Sequence, residues 1–327
     1  MRGRLALPYP LAGQSLHSRR ATRRLRVAAS ATEDGCVTGA TSARTLAIGP
    51  RVFAWGARTY VMGVINVSPE SFSGDGVASA EAAVEQARRF ADEGADVLDI
   101  GGQSTRPGAV KTQAGFDELP PEEEIRRVVP AIEGIARALP AIPLSIDTYK
   151  PAVARAAIDA GAHMLNDIEG FRRHAELAEV AAGRGVPAVV MHNQRGRAAD
   201  DVMAAIGEGL RASIAIAERA GLSRERLILD PGFGFGWTPA QNIEMLRRLG
   251  ELRGLGLPLL VGTSRKSTIG AVLGGAPVEE RLFGTAATVA LAIAAGADMV
   301  RVHDVRAMRD VARVSDAIVR GWAGPAG

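Results

Sequence analysis

One cysteine, Cys36, in a chain of 327 residues cannot close an intramolecular disulfide or a cysteine-rich metal site, and it points to a reducing compartment. No apolar run reaches the roughly 18 residues that a membrane span needs. The nearest, residues 284–296, is alanine-rich and reads as a buried helix. The five histidines are scattered, without the H-x-H or H-E-x-x-H spacing of a zinc site. Aromatic residues are scarce at 4%, against 38 glycines and 47% hydrophobic residues, a balance that fits a well-packed soluble enzyme.

Acidic residues are missing from positions 1–32, which hold seven arginines, Arg2, Arg4, Arg19, Arg20, Arg23, Arg24 and Arg26. Subtracting those seven charges from the net +3 leaves −4 for the rest, so the folded body lacks the basic excess of a nucleic-acid groove. An arginine-rich, acid-free head has the composition of an organellar transit peptide, of a disordered tail, or of upstream sequence included by a misjudged start. We read residues 1–48 as a disordered basic extension and 49–327 as a single catalytic domain, in a cytoplasmic protein with no membrane or nucleic-acid partner.

What is present is a repeated unit: a short apolar run, a polar or glycine-rich loop, then a segment of helical period. The runs fall at 60–65, 97–100, 143–146, 163–165, 186–190, 227–229, 258–261 and 299–302. The helical segments fall at 79–93, 121–138, 151–160, 173–183, 199–220, 239–252, 278–295 and 305–320. Pro121, Pro151 and Pro239 stand near helix starts, where a missing N–H costs nothing. Eight strands alternating with eight helices over this length predict an α/β protein, a (β/α)8 TIM barrel. A doubly wound sheet usually has fewer strands, and no G-x-G-x-x-G follows the first one.

Chemistry in such a barrel sits at the C-terminal strand ends. Read in order, these ends present Asn66, residues 103–106, Asp147, Asn166, His192, Asp230, residues 264–267, and Arg301 with His303. A single strand-end Asp is often only a helix cap, but a structural rim has no need of so many polar tips together. Asp147, Asn166 and Asp230 supply the acceptors and amide that a flat heterocycle bearing N–H groups requires. Two charge-assisted hydrogen bonds at roughly 1.5–3 kcal/mol each outweigh one stacked ring at about 0.5–1.5 kcal/mol. The carboxylates therefore choose the ring, and the phenylalanines of LILDPGFGFG (227–236) help to hold it. Arg301 and His303, with GTSRKS (262–267), lie where barrels commonly bind phosphate. Ser267 is expected to start a short helix whose N–H groups suit an anion. Asn66 suits a Mg²⁺ ion that keeps most of its waters.

The blocks VMGVINVSPESFSGDG, DIGGQSTRPGA, SIDTYKP, GAHMLNDI, MHNQRG, LDPGFGFG, LLVGTSRKSTIG and RVHDV resemble, in order, those of the dihydropteroate synthases, over about residues 50–320. The resemblance implies condensation of 6-hydroxymethyl-7,8-dihydropterin pyrophosphate with p-aminobenzoate, giving 7,8-dihydropteroate and pyrophosphate. On matching positions Asp147, Asn166, Met191, Asp230, Phe235 and Lys266 would bind the pterin, with Asp147, Asp230 and Lys266 catalytic. Asn66, Thr105, Arg301 and His303 would hold pyrophosphate, and Asn66 the Mg²⁺. Phe72, Thr105, Arg106, Pro107 and Ser267 would take p-aminobenzoate. The resemblance also implies a homodimer through the last helices.

Three departures stand out. Trp237 occupies a position where the family usually has lysine, and an indole carries no charge. Gln103 stands where glutamate is usual, and Glu70 with SGDG alters the first loop. Two alternatives remain beside the main reading. One is a catalytically impaired, synthase-like pterin-binding paralogue. The other is a methyltetrahydrofolate:corrinoid methyltransferase, which would have no use for the STRPG, TSRKS and RVHD groups.

Overall fold

The computed structural model describes residues 44–67, 77, 79–103, 119–322 and 324. Residues 1–41 and 42–327 are separate units, and the first lies wholly outside the described residues, Cys36 with it.

Two short strands come first, β1 (Thr45–Ile48) and β2 (Arg51–Ala54), paired antiparallel. Eight parallel strands follow: β3 (Tyr60–Asn66), β4 (Val97–Gly101), β5 (Leu144–Asp147), β6 (Met164–Asp167), β7 (Ala188–Met191), β8 (Leu227–Asp230), β9 (Leu260–Val261) and β10 (Met299–Val302). Strands β3 to β8 lie side by side in chain order, and β10 sits between β3 and β9. A parallel bridge between Leu229 and Leu259, with the Leu229 N–H donating to the Pro258 carbonyl at 2.8 Å, joins β8 to β9 and closes the ring. The TIM barrel expected from the repeat is the fold observed.

Helices link the strands: α1 (Ala80–Glu93), α2 (Pro121–Ala138), α3 (Pro151–Asp159), α4 (Glu176–Arg184), α5 (Val202–Arg219), α6 (Pro239–Arg247), α7 (Ser267–Val272) and α8 (Leu282–Ala294). A last helix, α9 (Val305–Val319), follows β10. Their starts obey local chemistry. Pro121, Pro151 and Pro239 each sit in the first turn, and Thr238 with Gln241 makes a reciprocal capping box.

Side chains alternate between the two faces of each strand, and this parity sorts the barrel. In β4, Leu98 and Ile100 pack outward into the helix layer, so Val97, Asp99 and Gly101 face inward. In-register partners share a face, which carries the same assignment to Ser145 and Asp147, then to Met164 and Asn166. The inward set is apolar near the strand starts and polar near their ends. Burial inside a barrel then forces the polar groups to pair with one another or with a ligand.

The hairpin was not expected. Its Leu46, Ile48 and Phe53 join one buried cluster with Tyr60, Met62, Met164, Ile228 and Met299. That cluster lies at the strand starts, so β1 and β2 plug the N-terminal mouth. Each such side chain contributes about 1.5–3 kcal/mol on burial. The domain thus begins by Thr45, inside the stretch assigned to the extension.

Other boundaries moved for visible reasons. The segment expected at 239–252 is α6 followed by a 3-10 stretch, Leu249–Leu255, because Gly250 and Gly254 weaken an α-helix there. Residues 278–281 form a 3-10 turn before α8. The alanine-rich run is buried on one face only; Leu291 and Phe283 on α8 are 63% and 85% exposed. Among the described residues no helix is long and apolar enough to cross a membrane.

Candidate functional site

At the C-terminal ends of the strands a single cavity is lined by Asp147, Asn166, Asp230, Lys266, Arg301 and His303, with Met191 and Phe235 supplying apolar wall. These belong to six different strands or the loops after them, and the outermost, Asp147 and His303, are 156 residues apart. Parity explains the selection. After β9 the lining residues are Gly262, Ser264 and Lys266, every second position, and in β10 and beyond they are Arg301 and His303.

The loop after β8 shows why glycines alternate with rings. The Gly232 N–H donates to one Asp230 carboxylate oxygen at 2.7 Å. Gly232 has φ +78°, and a Cβ there would lie 1.8 Å from the His192 carbonyl oxygen. At Gly236, φ +84°, a Cβ would meet the Arg195 nitrogen at 2.4 Å. Only glycine allows this backbone to press against the loop after β7. Phe233 is fully buried in the core, whereas Phe235 borders the cavity. The Lys266 ammonium donates to the Phe233 carbonyl and stands 4.7 Å above the Phe235 ring; Arg195 lies 4.7 Å from the same ring. Burial pushes the Lys266 amine down to about 8, against the pull of Asp230 and with help from Arg301. Burial likewise raises the Asp230 carboxyl, opposed by Lys266 and the Gly232 N–H.

Arg301 is forked between two carboxylates. Its Nε donates to Asp99 at 2.6 Å and its Nη2 to Asp147 at 2.7 Å. Asp99 also accepts from Asn166 Nδ2 at 3.0 Å, which leaves the other Asn166 N–H and its oxygen for a ligand. Burial, opposed by Arg301 and reinforced by Asp99, pushes the Asp147 carboxyl up to about 7. Two carboxylates, Asp147 and Asp230, thus share the cavity with the cations Lys266 and Arg301, and Asp99 lies buried behind Arg301, a field suited to developing positive charge beside an anion site. Ser264 Oγ accepts the His303 backbone N–H at 3.2 Å and lies 2.9 Å from its Nδ1.

Asn66 ends β3 beside Gly101; Asn66 Oδ1 and Asp147 Oδ2 lie 3.8 and 3.7 Å from where a Gly101 Cβ would be. These are hard oxygen donors on one side of the site. Ser267, first residue of α7, is exposed. Phe72, Thr105, Arg106 and Pro107, like Glu70 and the SGDG segment, lie outside the described residues.

Several expected tips turn away from the cavity. His192 follows the inward Met191 and so points outward. It is buried against Gln194, 2.8 Å away, and stacks on Trp237 at 5.8 Å between centroids. Desolvation holds its imidazole down at about 4. Arg265, between Ser264 and Lys266, pairs instead with Asp304 at 2.9 and 2.5 Å. Trp237 is buried behind the loop and does not line the cavity. Gln103 accepts from Lys150 Nζ at 2.6 Å. The sequence reading missed Asp99, hidden within the apolar run, which acts through Arg301 and Asn166. The two-residue spacing Asp99–Gly101 was the available signal.

A family model described as pterin binding enzyme matches residues 62–303. The dihydropteroate synthase of Clostridium beijerinckii is 46% identical over 275 residues, covering 84% of this chain and 99% of that one. A solved structure of Xanthomonas albilineans dihydropteroate synthase with 4-aminobenzoic acid superposes with TM-score 0.78 and 43% identity, covering 86% of this chain and all of that one. Another, from the same organism and in complex with 7,8-dihydropteroate, gives TM-score 0.75 at 41% identity over 86% and 100% of the two chains.

Proposed function

The chain belongs to the dihydropteroate synthases within the pterin binding enzyme family, and from that premise we propose how its cavity divides the reaction. The enzyme condenses 6-hydroxymethyl-7,8-dihydropterin pyrophosphate with p-aminobenzoate, giving 7,8-dihydropteroate and pyrophosphate. Asp230 and Asn166 take the edge of the pterin, because one Asp230 oxygen remains after the Gly232 N–H is satisfied and Asn166 keeps a donor and an acceptor. Met191 and Phe235 pack on the ring, and Lys266 hydrogen-bonds its rim.

Arg301 and His303 take the oxygens of the departing diphosphate, whose growing charge they stabilise more than the bound ester. Breaking the C–O bond leaves a cationic exocyclic methylene conjugated with the ring, and the Asp147 carboxylate stabilises it electrostatically. The aniline nitrogen of p-aminobenzoate then attacks the methylene carbon and releases one proton to solvent. No covalent enzyme intermediate is required. Asn66, at the end of β3, would offer its side-chain oxygen to Mg²⁺, which would supply charge neutralisation at the diphosphate. Thr105 joins the diphosphate site, and Phe72, Thr105, Arg106, Pro107 and Ser267 take p-aminobenzoate.

The observation that carries this reading is the meeting of Asp147, Asn166, Asp230 and Lys266 with Arg301 and His303 around one cavity. The test is turnover. Purified protein with both substrates and Mg²⁺ releases pyrophosphate and forms dihydropteroate in equal amounts; pterin binding without turnover would favour the impaired paralogue.

We also infer a homodimer formed through α8 and α9. Phe283 and Leu291 on the first, and Val314 and Ile318 on the second, are 62–85% exposed, as is Trp322 beyond them. So much bare apolar surface on two packed helices supports a partner. The cytoplasmic assignment rests on the single cysteine.

A further inference from the structure

We propose that Lys150 is a positioning residue for p-aminobenzoate capture, tying together residues 103 and 119, the two ends of the stretch that carries Thr105, Arg106 and Pro107. The inference rests on the assignment of those three residues to p-aminobenzoate. Its own evidence is the environment of one ammonium group. Lys150 precedes α3, and its side chain is 7% exposed. Its Nζ has three hydrogens and three acceptors, each at 2.6 Å: Gln103 Oε1, the Leu119 carbonyl and Glu124 Oε2. The Glu124 side chain, on α2, is 2% exposed.

A buried ion pair alone is a weak reason to keep a lysine, since a well-packed apolar pair of similar volume often serves stability as well. The third and fourth groups make the difference. A side-chain amide two residues after β4 and a backbone carbonyl two residues before α2 are held at one point, which no apolar side chain can do. Neighbouring contacts reinforce the same junction. Arg127, on α2, donates to the Gly102 carbonyl at 3.3 Å, and the Tyr149 hydroxyl meets the Gln103 amide at 3.3 Å.

Gln103 also acquires a rationale. One ammonium faces one carboxylate, Glu124, and the Gln103 side-chain oxygen accepts at the third corner. None of these groups lines the pterin cavity, so the clamp acts through the chain it anchors.

Steady-state kinetics of the full chain, with dihydropterin binding measured separately, test this. Gln103→Leu removes one corner and leaves the ion pair intact. Lys150→Met combined with Glu124→Leu removes the clamp without leaving a buried charge unpaired. Both variants raise the KM for p-aminobenzoate by about tenfold or more, the effect of one charge-assisted hydrogen bond, while the pterin Kd stays within about twofold. Gln103→Glu keeps an acceptor oxygen and restores a KM near that of the unaltered chain. Folded variants with an unchanged p-aminobenzoate KM, or with pterin affinity lost to the same degree, overturn the clamp and leave the proposed reaction standing. If the double variant does not fold, Gln103→Leu alone decides. An unaltered chain that makes no dihydropteroate overturns the reaction assignment itself, and with it the purpose given to Lys150.

Discussion

Replacing Asp230 with asparagine changes almost no volume but reverses one hydrogen-bonding direction. In the native chain one carboxylate oxygen accepts the Gly232 N–H at 2.7 Å. In the variant only the amide oxygen can take that bond, so the NH₂ group turns to where the second oxygen stood. A pterin presents N–H and amino donors at its edge, and donor then meets donor. The loss is a charge-assisted bond of about 1.5–3 kcal/mol plus about 1–3 kcal/mol for groups left unpaired. Together these weaken pterin binding by roughly two to four orders of magnitude. Isothermal titration with the dihydropterin gives the pterin affinity, and steady-state kinetics at saturating pterin give the KM for p-aminobenzoate, which should move little. Equal losses for both substrates, or a pterin affinity within a few-fold of native, would refute the reasoning.

Three further outcomes follow from the same geometry. Asp99→Asn leaves Arg301 with Asp147 as its only carboxylate, because the amide oxygen can keep the two contacts of Asp99 Oδ2 but not its charge; kcat/KM for the pterin pyrophosphate falls about 10- to 100-fold, and an unchanged value would remove Asp99 from the account. His192, held at about 4 against an ordinary 6.5, refuses in the folded state a proton that the unfolded chain accepts. Its contribution to stability is therefore complete above pH 6.5 and is lost as pH falls toward 4, on the order of 3 kcal/mol; thermal melts of His192→Gln should show a flatter acid limb. Phe53→Ala empties the plug at the N-terminal mouth and costs about 3–5 kcal/mol, seen as a lower Tm, while kcat at 25 °C stays near native because the rim lies at the other end.

Much of this was legible in the chain. Apolar runs alternating with helical segments predict the barrel, and each polar strand tip announces its end. What the tips alone do not tell is which way they point. His192 and Arg265 look as eligible as Asp230 in a list of strand ends, yet each lies one residue out of step with an inward neighbour. Applying the two-residue period to the strands would have set both aside and admitted Asp99. The hairpin hid for a different reason: TLAIGPRVFA alternates and turns at Gly49 and Pro50, but it lies before the repeat begins. Lys150 was masked by its setting, since a residue just before Pro151 reads as a helix boundary, and its three acceptors come from separate parts of the chain.

The central claim is that one cavity reads a pterin edge on Asp230 and Asn166 while Arg301 and His303 hold the diphosphate. A crystal structure with 6-hydroxymethyl-7,8-dihydropterin pyrophosphate and Mg²⁺ bound tests it most directly. The account predicts ring nitrogens within about 3 Å of Asp230 and Asn166, and diphosphate oxygens against Arg301 and His303. A ring seated outside the barrel mouth, or a diphosphate bound away from Arg301, would contradict it.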